Sequence, residues 1–172
     1  MTSTRIALLT VSDRASTGEY EDRSGPALDS WISQHVRSEY EILSGLVPDE
    51  IAAIEAQLRA WIDEKVDLVI ATGGTGPSPR DVTPDAVELV CERIYPGFGE
   101  RMRGVAVDRL PTAMLSRQLA GSSGKTLIIA LPGSPKAIAE CLDAVFPAIP
   151  HCIELLGGVP PRYEKAVNPN HE

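Results

Sequence analysis

The chain is poor in aromatic residues, in positive charge and in long apolar runs, and each shortage excludes a class of protein. Only 5% of its 172 residues are aromatic although 43% are hydrophobic, so the core must be aliphatic, as in a layered α/β protein. Sixteen basic against twenty-four acidic residues give a net charge of −8, which argues against a nucleic-acid partner because the basic footprint is absent. No apolar run is long enough to span a membrane and no signal peptide opens the chain, so we expect a cytoplasmic protein without a membrane segment.

The usual signatures of metal centres, redox pairs and activated nucleophiles are also missing. The three cysteines, Cys91, Cys141 and Cys152, form no CxxC pair and lie among apolar helical positions, so we expect core residues in a reducing compartment. There is no HExxH motif, no Cys/His metal spacing and no GxSxG motif. The segment Gly124-Lys125-Thr126 resembles the end of a P-loop. However, Leu119 stands where the first glycine is required, so we interpret it as a turn.

Alternating strand and helix patterns predict a single three-layer α/β/α domain with a mostly parallel sheet. Nearly continuous aliphatic runs predict buried strands at 5–11, 40–47, 67–72 and 126–131. Helical patterns are assigned to residues 26–36, 51–64, 85–93, 98–109, 111–119, a segment after Lys136, and 149–156. We expect the domain to cover residues 1–157, followed by an extended or loose C-terminal tail at 158–172. His35 is expected on a helix surface.

The loop after the third predicted strand is the strongest local signal. About ten residues separate the strand from the next helix, whereas an ordinary βα loop takes roughly 2–6. Three glycines within four residues allow the backbone N–H groups to turn inward and a ligand to approach closely, which favours an anion, most often phosphate. The residues concerned are Thr72, Gly73, Gly74, Thr75 and Gly76. The alternative is a solvent loop with turn glycines.

The other βα junctions place polar residues at the same edge of the predicted sheet. Ser12 and Asp13 follow the first strand, Asp49 follows the second, and Gly133 and Ser134 follow the fourth. Ser12, Asp13 and Asp49 could instead cap the turn or helix that follows, whereas Gly133 and Ser134 indicate a second small phosphate- or base-binding turn. Together with Asp81 in the glycine loop, however, the two aspartates gather carboxylates beside a phosphate-binding turn, which is how proteins hold magnesium.

Basic side chains are needed to neutralise phosphate. Arg101, Arg117 and Lys136 are the candidates, although the residue type alone favours a plain surface charge for each.

Several motifs resemble the molybdopterin adenylyltransferase family of molybdenum cofactor biosynthesis, the MogA type related to MoaB. The similarity runs from about residue 5 to 157. The motifs are TVSDRAS (10–16), PDE (48–50), TGGTGPSPRDVTPDA (72–86), PGFGERMR (96–103), PTAMLSRQ (111–118) and LPGSPKAI (131–138). Together they are specific, whereas TGGTG with RDVTP alone would mark the wider molybdopterin-binding superfamily.

This resemblance implies a molybdopterin-binding fold, commonly assembled as a homotrimer, and a Mg²⁺-dependent nucleotidyltransferase. Its reaction would convert molybdopterin and ATP into adenylyl-molybdopterin and pyrophosphate, with possible hand-over to a molybdate-inserting enzyme. The family's essential acidic positions fall on Asp49 and Asp81, which would hold the metal. The glycine loop would hold phosphate. The pterin and nucleotide pocket would be lined by Ser12, Asp13, Ser116, Arg117, Pro132, Gly133 and Ser134.

Two other functions are compatible with the same motifs. One is a non-catalytic molybdopterin-binding carrier of the MoaB-like kind. The other is a Mg²⁺-dependent nucleotide hydrolase that shares the superfamily domain, as in CinA-like proteins. Both Asp49 and Asp81 are present, which favours the adenylyltransferase over the carrier, and the SDRAS and PGFGERMR segments favour it over the hydrolase.

Overall fold

The computed structural model describes residues 3–164 and shows a six-stranded sheet between two layers of helices. The strands are β1 (Thr4–Val11), β2 (Tyr40–Val47), β3 (Leu68–Thr72), β4 (Arg93–Ile94), β5 (Leu119–Ser123) and β6 (Thr126–Leu131). The helices are α1 (Asp13–Ser16), α2 (Ser24–His35), α3 (Ile51–Asp63), α4 (Thr83–Val90), α5 (Pro96–Gly104), α6 (Pro135–Val145) and α7 (Ile149–Leu155). Short 3₁₀ helices cover Pro111–Leu115 and Phe146–Ala148.

The sheet has the order β2-β1-β3-β6-β5-β4, and its first four strands are parallel. Side chains alternate along β1, so that Ile6 and Leu8 join one core while Ala7 and Leu9 join the other. Helices α2, α5, α6 and α7 cover the first face, and α3 and α4 cover the second. The three-layer, mostly parallel fold expected from the sequence is therefore confirmed.

The predicted pattern was wrong between residues 85 and 123. Helix α4 ends at Val90, and the helical turn predicted over 111–119 stops at Leu115. Strands β4 and β5, which the sequence pattern did not predict, add an antiparallel edge to the sheet. Strand β5 joins β6 through a tight turn in which Gly124 has φ +53°, so the turn interpretation of Gly124-Lys125-Thr126 is confirmed.

The segment after α7 packs on the domain as far as Glu164, and residues 165–172 lie outside the described part. Val159 N donates to the buried carboxylate of Asp67 (2.9 Å), which also accepts from Arg5 N (2.9 Å) and Lys125 Nζ (3.3 Å). Tyr163 packs against an aromatic group formed by Trp31, His35 and Phe146.

Two further findings concern expectations stated from the sequence. His35 stacks on Trp31 with 4.1 Å between ring centroids and is 8% exposed, so its expected surface position was wrong. Within residues 3–164, no helix combines the length and apolarity that crossing a bilayer would require.

Candidate active site

The candidate site lies where the four parallel strands end. In the sheet, β1 is flanked by β2 on one side and β3 on the other, so the loops after β1 and β3 open a crevice at a topological switch point. The register places Val11 beside Val47, Thr10 beside Thr72, and Thr72 beside Leu131. All four predicted junctions therefore meet at one edge.

The glycine loop is tightly packed against this edge. Gly73 has φ +99°, and a methyl group built on it would lie 2.2 Å from the carbonyl oxygen of Val11. Gly74 has φ +58°, and a methyl group there would lie 2.7 Å from Asp49 Oδ1 and 2.6 Å from Thr83 Oγ1. Both positions therefore require glycine, for conformation and for space. The alternative of a loose solvent loop is not supported.

Asp13 and Asp49 join two neighbouring junctions by a reciprocal pair of hydrogen bonds. Asp13 N donates to Asp49 Oδ2 (2.8 Å), and Asp49 N donates to Asp13 Oδ1 (2.9 Å). Asp49 does not cap α3, which begins at Ile51 without a side-chain cap, so the capping alternative fails for this residue. It holds for Ser12, whose hydroxyl accepts from Ala15 N (3.2 Å) at the start of α1.

Asp81 is held by its own loop in a comparable way. Its Oδ2 accepts from Ser78 N (2.9 Å), and the same oxygen would lie 2.8 Å from a methyl group built on Gly76. Among residues 3–164, no hydrogen-bond donor contacts Asp81 Oδ1 or Asp49 Oδ1. Two carboxylates beside the glycine loop thus each keep one oxygen available.

The charges at the site favour a cation near Asp49. Burial raises the pKa of Asp49, and the negative charges of Asp13 and Asp81 raise it further, whereas the hydrogen bond from Asp13 N and the positive charge of Arg80 lower it. The described residues contain no group of three or more His, Cys, Asp or Glu side chains arranged for a metal ion. A metal at this place would therefore need oxygen ligands from a substrate in addition to the two carboxylates.

Arg80 is a site residue that the sequence reasoning missed. Its guanidinium contacts Asp13 Oδ2 through Nη2 (2.5 Å) and Nε (3.1 Å). The hydrogen bond from Arg80 lowers the pKa of Asp13. The signal was present, because Arg80 immediately precedes Asp81 in the long loop.

Ser116 and Arg117 hold the glycine loop in place through hydrogen bonds. Arg117 forms a two-pronged ion pair with Asp85 (2.8 and 3.0 Å) and also donates to the carbonyl oxygens of Gly76 and Asp81. Its backbone N donates to Thr75 O (2.7 Å), and the Ser116 hydroxyl donates to Thr75 Oγ1 (3.3 Å). The hydrogen bond from Arg117 lowers the pKa of Asp85.

The remaining junction is fixed by short contacts around β6. Thr72 Oγ1 donates to Pro132 O (2.9 Å), Ser24 Oγ donates to Gly133 O (2.6 Å), and Ser134 Oγ caps α6 at Ala137 N (3.2 Å). Ser134 lines two cavities, of which the smaller reaches the glycine loop at Gly73. One, of about 390 Å³, is also lined by Ser12, Gly73 and Gly133; the other, of about 410 Å³, is also lined by Ser116, Pro132 and Lys136.

The predicted basic residues do not all reach the site. Lys136 lines the larger cavity, with Nζ 4.0 Å from Glu140. Arg101 instead lines a separate apolar groove with Phe98 and Leu155. The structure thus brings the predicted acidic, glycine and hydroxyl residues together but leaves Arg101 outside.

Comparison with known proteins agrees with this geometry. The model of one family, described as a probable molybdopterin binding domain, matches residues 7–151. The chain is 51% identical over 159 residues to a protein of Helicobacter pylori (strain ATCC 700392 / 26695) named molybdopterin adenylyltransferase, covering 92% of this chain and 90% of that protein. It is 44% identical over 171 residues to the protein of the same name from Escherichia coli (strain K12), covering 92% and 88%.

A solved structure is also similar to this chain. The crystal structure of the molybdopterin biosynthesis enzyme MoaB from Thermus thermophilus superposes with a TM-score of 0.84 at 42% identity, covering 92% of this chain and 99% of that one. The family match spans most of the sheet and all four junctions that form the site. The chain therefore belongs to the molybdopterin adenylyltransferase family of molybdopterin-binding domains.

Proposed function

We propose that this protein is a molybdopterin adenylyltransferase, which transfers AMP from ATP to the terminal phosphate of molybdopterin and releases pyrophosphate. The observation that carries the proposal is the pair Asp49 and Asp81. Each is fixed by a backbone N–H through one oxygen and presents the other beside a phosphate-binding glycine loop. The names of the relatives at 44–51% identity support the same reaction.

The reaction requires little covalent chemistry from the protein. A phosphate oxygen of molybdopterin forms a bond to the α-phosphorus of ATP, the bond to the bridging oxygen breaks, and its electron pair leaves with pyrophosphate. Because the attacking phosphate is already anionic, no strong general base is needed. Positioning and charge neutralisation therefore account for catalysis.

The two carboxylates fit a magnesium ion. Mg²⁺ prefers oxygen ligands and usually combines one or two carboxylates with substrate phosphates, which matches the two available oxygens of Asp49 and Asp81. When bound, the ion would neutralise charge on the phosphates and on the leaving pyrophosphate. Asp13 and Arg80 would keep Asp49 in position, since Asp13 N holds one of its oxygens.

Some of the other predicted site residues line the two cavities, and the rest belong to the glycine loop or contact it. We propose that Gly73, Gly74 and Gly76 bind phosphate through their backbone, and that Ser12, Thr72, Thr75, Pro132, Gly133 and Ser134 line the substrate pocket. Ser116 and Arg117 would act through the loop that they support. Two cavities that meet at Ser134 suit a reaction with two substrates.

The remaining features are expectations from the sequence or from the resemblance and stay proposals. They are a homotrimer, a cytoplasmic location, a catalytic domain over residues 1–157, and hand-over of the product to a molybdate-inserting enzyme. Analytical ultracentrifugation tests the trimer directly.

An adenylylation assay tests the function. Purified protein is incubated with molybdopterin and ATP, with and without Mg²⁺, and adenylyl-molybdopterin and pyrophosphate are measured. We expect both products in equal amounts and only with Mg²⁺. Tight molybdopterin binding without product would favour the carrier function, and release of phosphate or nucleotide products from ATP without molybdopterin would favour a hydrolase.

A further inference from the structure

Thr83 carries a buried hydroxyl that has no hydrogen-bond partner among the described residues. The residue is 0% exposed and begins α4, and no atom of residues 3–164 forms a hydrogen bond with its Oγ1. It does not cap the helix, because the position before it is Val82 and no side-chain cap is present. Leaving a buried hydroxyl without a partner costs free energy, so such a group calls for an explanation.

The hydroxyl lies beside the active-site carboxylate. A methyl group built on Gly74 would lie 2.6 Å from Thr83 Oγ1 and 2.7 Å from Asp49 Oδ1, so both oxygens lie close to a single point next to the Gly74 backbone. The backbone fixes this arrangement, since Thr83 N donates to Gly74 O (3.1 Å). Glycine at position 74 leaves the space by the two oxygens open.

The two groups are chemically complementary. An ionised carboxylate only accepts hydrogen bonds, and Asp49 Oδ2 already has a donor in Asp13 N, whereas Oδ1 has none among the described residues. A threonine hydroxyl can donate, so Thr83 carries the kind of group that Asp49 Oδ1 lacks.

We infer that Thr83 is a positioning residue for Asp49, donating to its Oδ1 and orienting this carboxylate toward the bound substrate phosphates and their cation. The inference rests on the proposed function. Residues that donate to metal-binding carboxylates influence metal affinity strongly, although they never touch the metal or substrate. Thr83 therefore acts through Asp49 and is not itself a catalytic residue.

A pair of threonine-to-valine substitutions tests the inference. Thr4 is the matched control, because it is also buried (1% exposed), its Oγ1 also lacks a partner among the described residues, and it begins β1 at the opposite edge of the sheet. Valine keeps the shape and removes the unpaired hydroxyl in each case. We expect both Thr83→Val and Thr4→Val to fold with a Tm at least equal to that of the unmodified protein.

Function should separate the two variants. We expect Thr83→Val to lower kcat and to weaken Mn²⁺ binding in the presence of ATP, measured by electron paramagnetic resonance, each by about tenfold. Thr4→Val should change neither quantity. Thr83→Ser keeps the hydroxyl and should restore both to within about twofold.

The outcomes are distinguishable. If the unmodified protein forms product and binds Mn²⁺ with ATP, and Thr83→Val does the same with unchanged constants, the inference on Thr83 is wrong and the proposed function stands. A Tm that falls in Thr83→Val alone would assign the hydroxyl a structural role and likewise overturn it. An unmodified protein that neither forms product nor binds Mn²⁺ with ATP would remove the proposed function and this inference with it.

Discussion

At the scale of single residues, we expect the negative charge of Asp49 and Asp81, rather than their hydrogen bonds, to determine activity. Each carboxylate receives one backbone hydrogen bond that an asparagine side chain could also accept. We therefore expect Asp81→Asn to retain the fold, with an unchanged far-ultraviolet circular dichroism spectrum, but to cut kcat by at least about 100-fold, the scale of losing one key electrostatic group. The adenylylation assay measures this loss.

The matched control is Asp108→Asn, which removes the same charge from an exposed position between α5 and β5. It should leave the rate unchanged. Turnover by Asp81→Asn at the level of this control would show that Asp81 is not required for the reaction.

The cysteines give a prediction about pH. Burial raises the pKa of Cys91 and of Cys141 from 9.0 to about 12. In the unfolded chain these thiols ionise near pH 9, whereas in the folded protein they stay protonated until about pH 12. Unfolding therefore releases protons in this window, and their contribution to stability, which is fully present below pH 9, is lost as the pH rises toward 12.

Two measurements check this. At pH 8, iodoacetamide should modify Cys91 and Cys141 much more slowly in the native protein than in urea, as followed by mass spectrometry. Between pH 9 and 11, the free energy of unfolding should fall less steeply in Cys141→Ala than in the unmodified protein. Rapid native labelling of Cys141 would show that its surroundings open readily.

Residue chemistry predicted which side chains meet, but not what each one bonds to. The sequence pattern predicted Asp13, Asp49 and Asp81 at one edge of the sheet, because parallel strands all end on the same side. Only the structure showed that Ser12 caps α1 whereas Asp49 bonds to Asp13. The choice between these partners depends on loop geometry to within an ångström, which residue type does not encode.

At the scale of elements, the long loop between β3 and α4 depends on Arg117. Arg117 binds the carbonyl oxygens of Gly76 and Asp81 together with the Asp85 carboxylate, so it joins two points of the loop to the first turn of α4. We expect Arg117→Ala to speed amide hydrogen exchange in peptides covering residues 73–85 and to raise the KM for ATP about tenfold, the scale of one lost charge-assisted hydrogen bond. Exchange detected by mass spectrometry and steady-state kinetics measure the two effects.

Arg59→Ala is the comparison for this variant. Arg59 forms an exposed ion pair with Glu55 on α3 (2.8 Å), and losing such a pair changes stability by only about 0–1 kcal/mol. Neither exchange in the loop nor the KM should change. A raised KM in Arg117→Ala with normal loop exchange would instead support direct phosphate binding by this arginine.

The elements were predictable where their own residues determine them. The strands β1, β2, β3 and β6 are rich in aliphatic residues, and their pattern predicted them correctly. Strand β5 has the sequence Leu-Ala-Gly-Ser-Ser, which has little intrinsic preference for a strand, and β4 has only two residues. Pairing with β6 creates this edge of the sheet, so no local pattern could have indicated it.

At the scale of the whole molecule, the segment after α7 packs against the domain at two places. Its residues supply Val159 N to the buried Asp67 and Tyr163 to the aromatic group around Trp31. Deleting residues 158–172 leaves the Asp67 carboxylate one donor short and uncovers His35. We expect the deletion to lower the free energy of unfolding by about 3 kcal/mol, the scale of one lost hydrogen bond to a buried charge plus apolar packing.

A second truncation isolates the cause. Ending the chain after Glu164 keeps all of these contacts. This chain should therefore have a larger free energy of unfolding, measured in urea, than the shorter chain. The adenylylation rate per folded molecule should be the same in both, because the segment lies far from the glycine loop. Equal stabilities would place the end of the domain at residue 157, as the sequence first suggested.

The bonds made by Asp67 also bear on how the protein forms during translation. This buried carboxylate binds the backbone of residue 5, the side chain of residue 125 and the backbone of residue 159, so its partners are spread over almost the whole polypeptide. A ribosome releases these segments in order, so the three donors emerge at widely separated times. Asp67 has one of these donors once β1 and β3 pair, gains the second with Lys125 and the third only with Val159, so the buried carboxylate is fully satisfied only after the segment beyond α7 has been made.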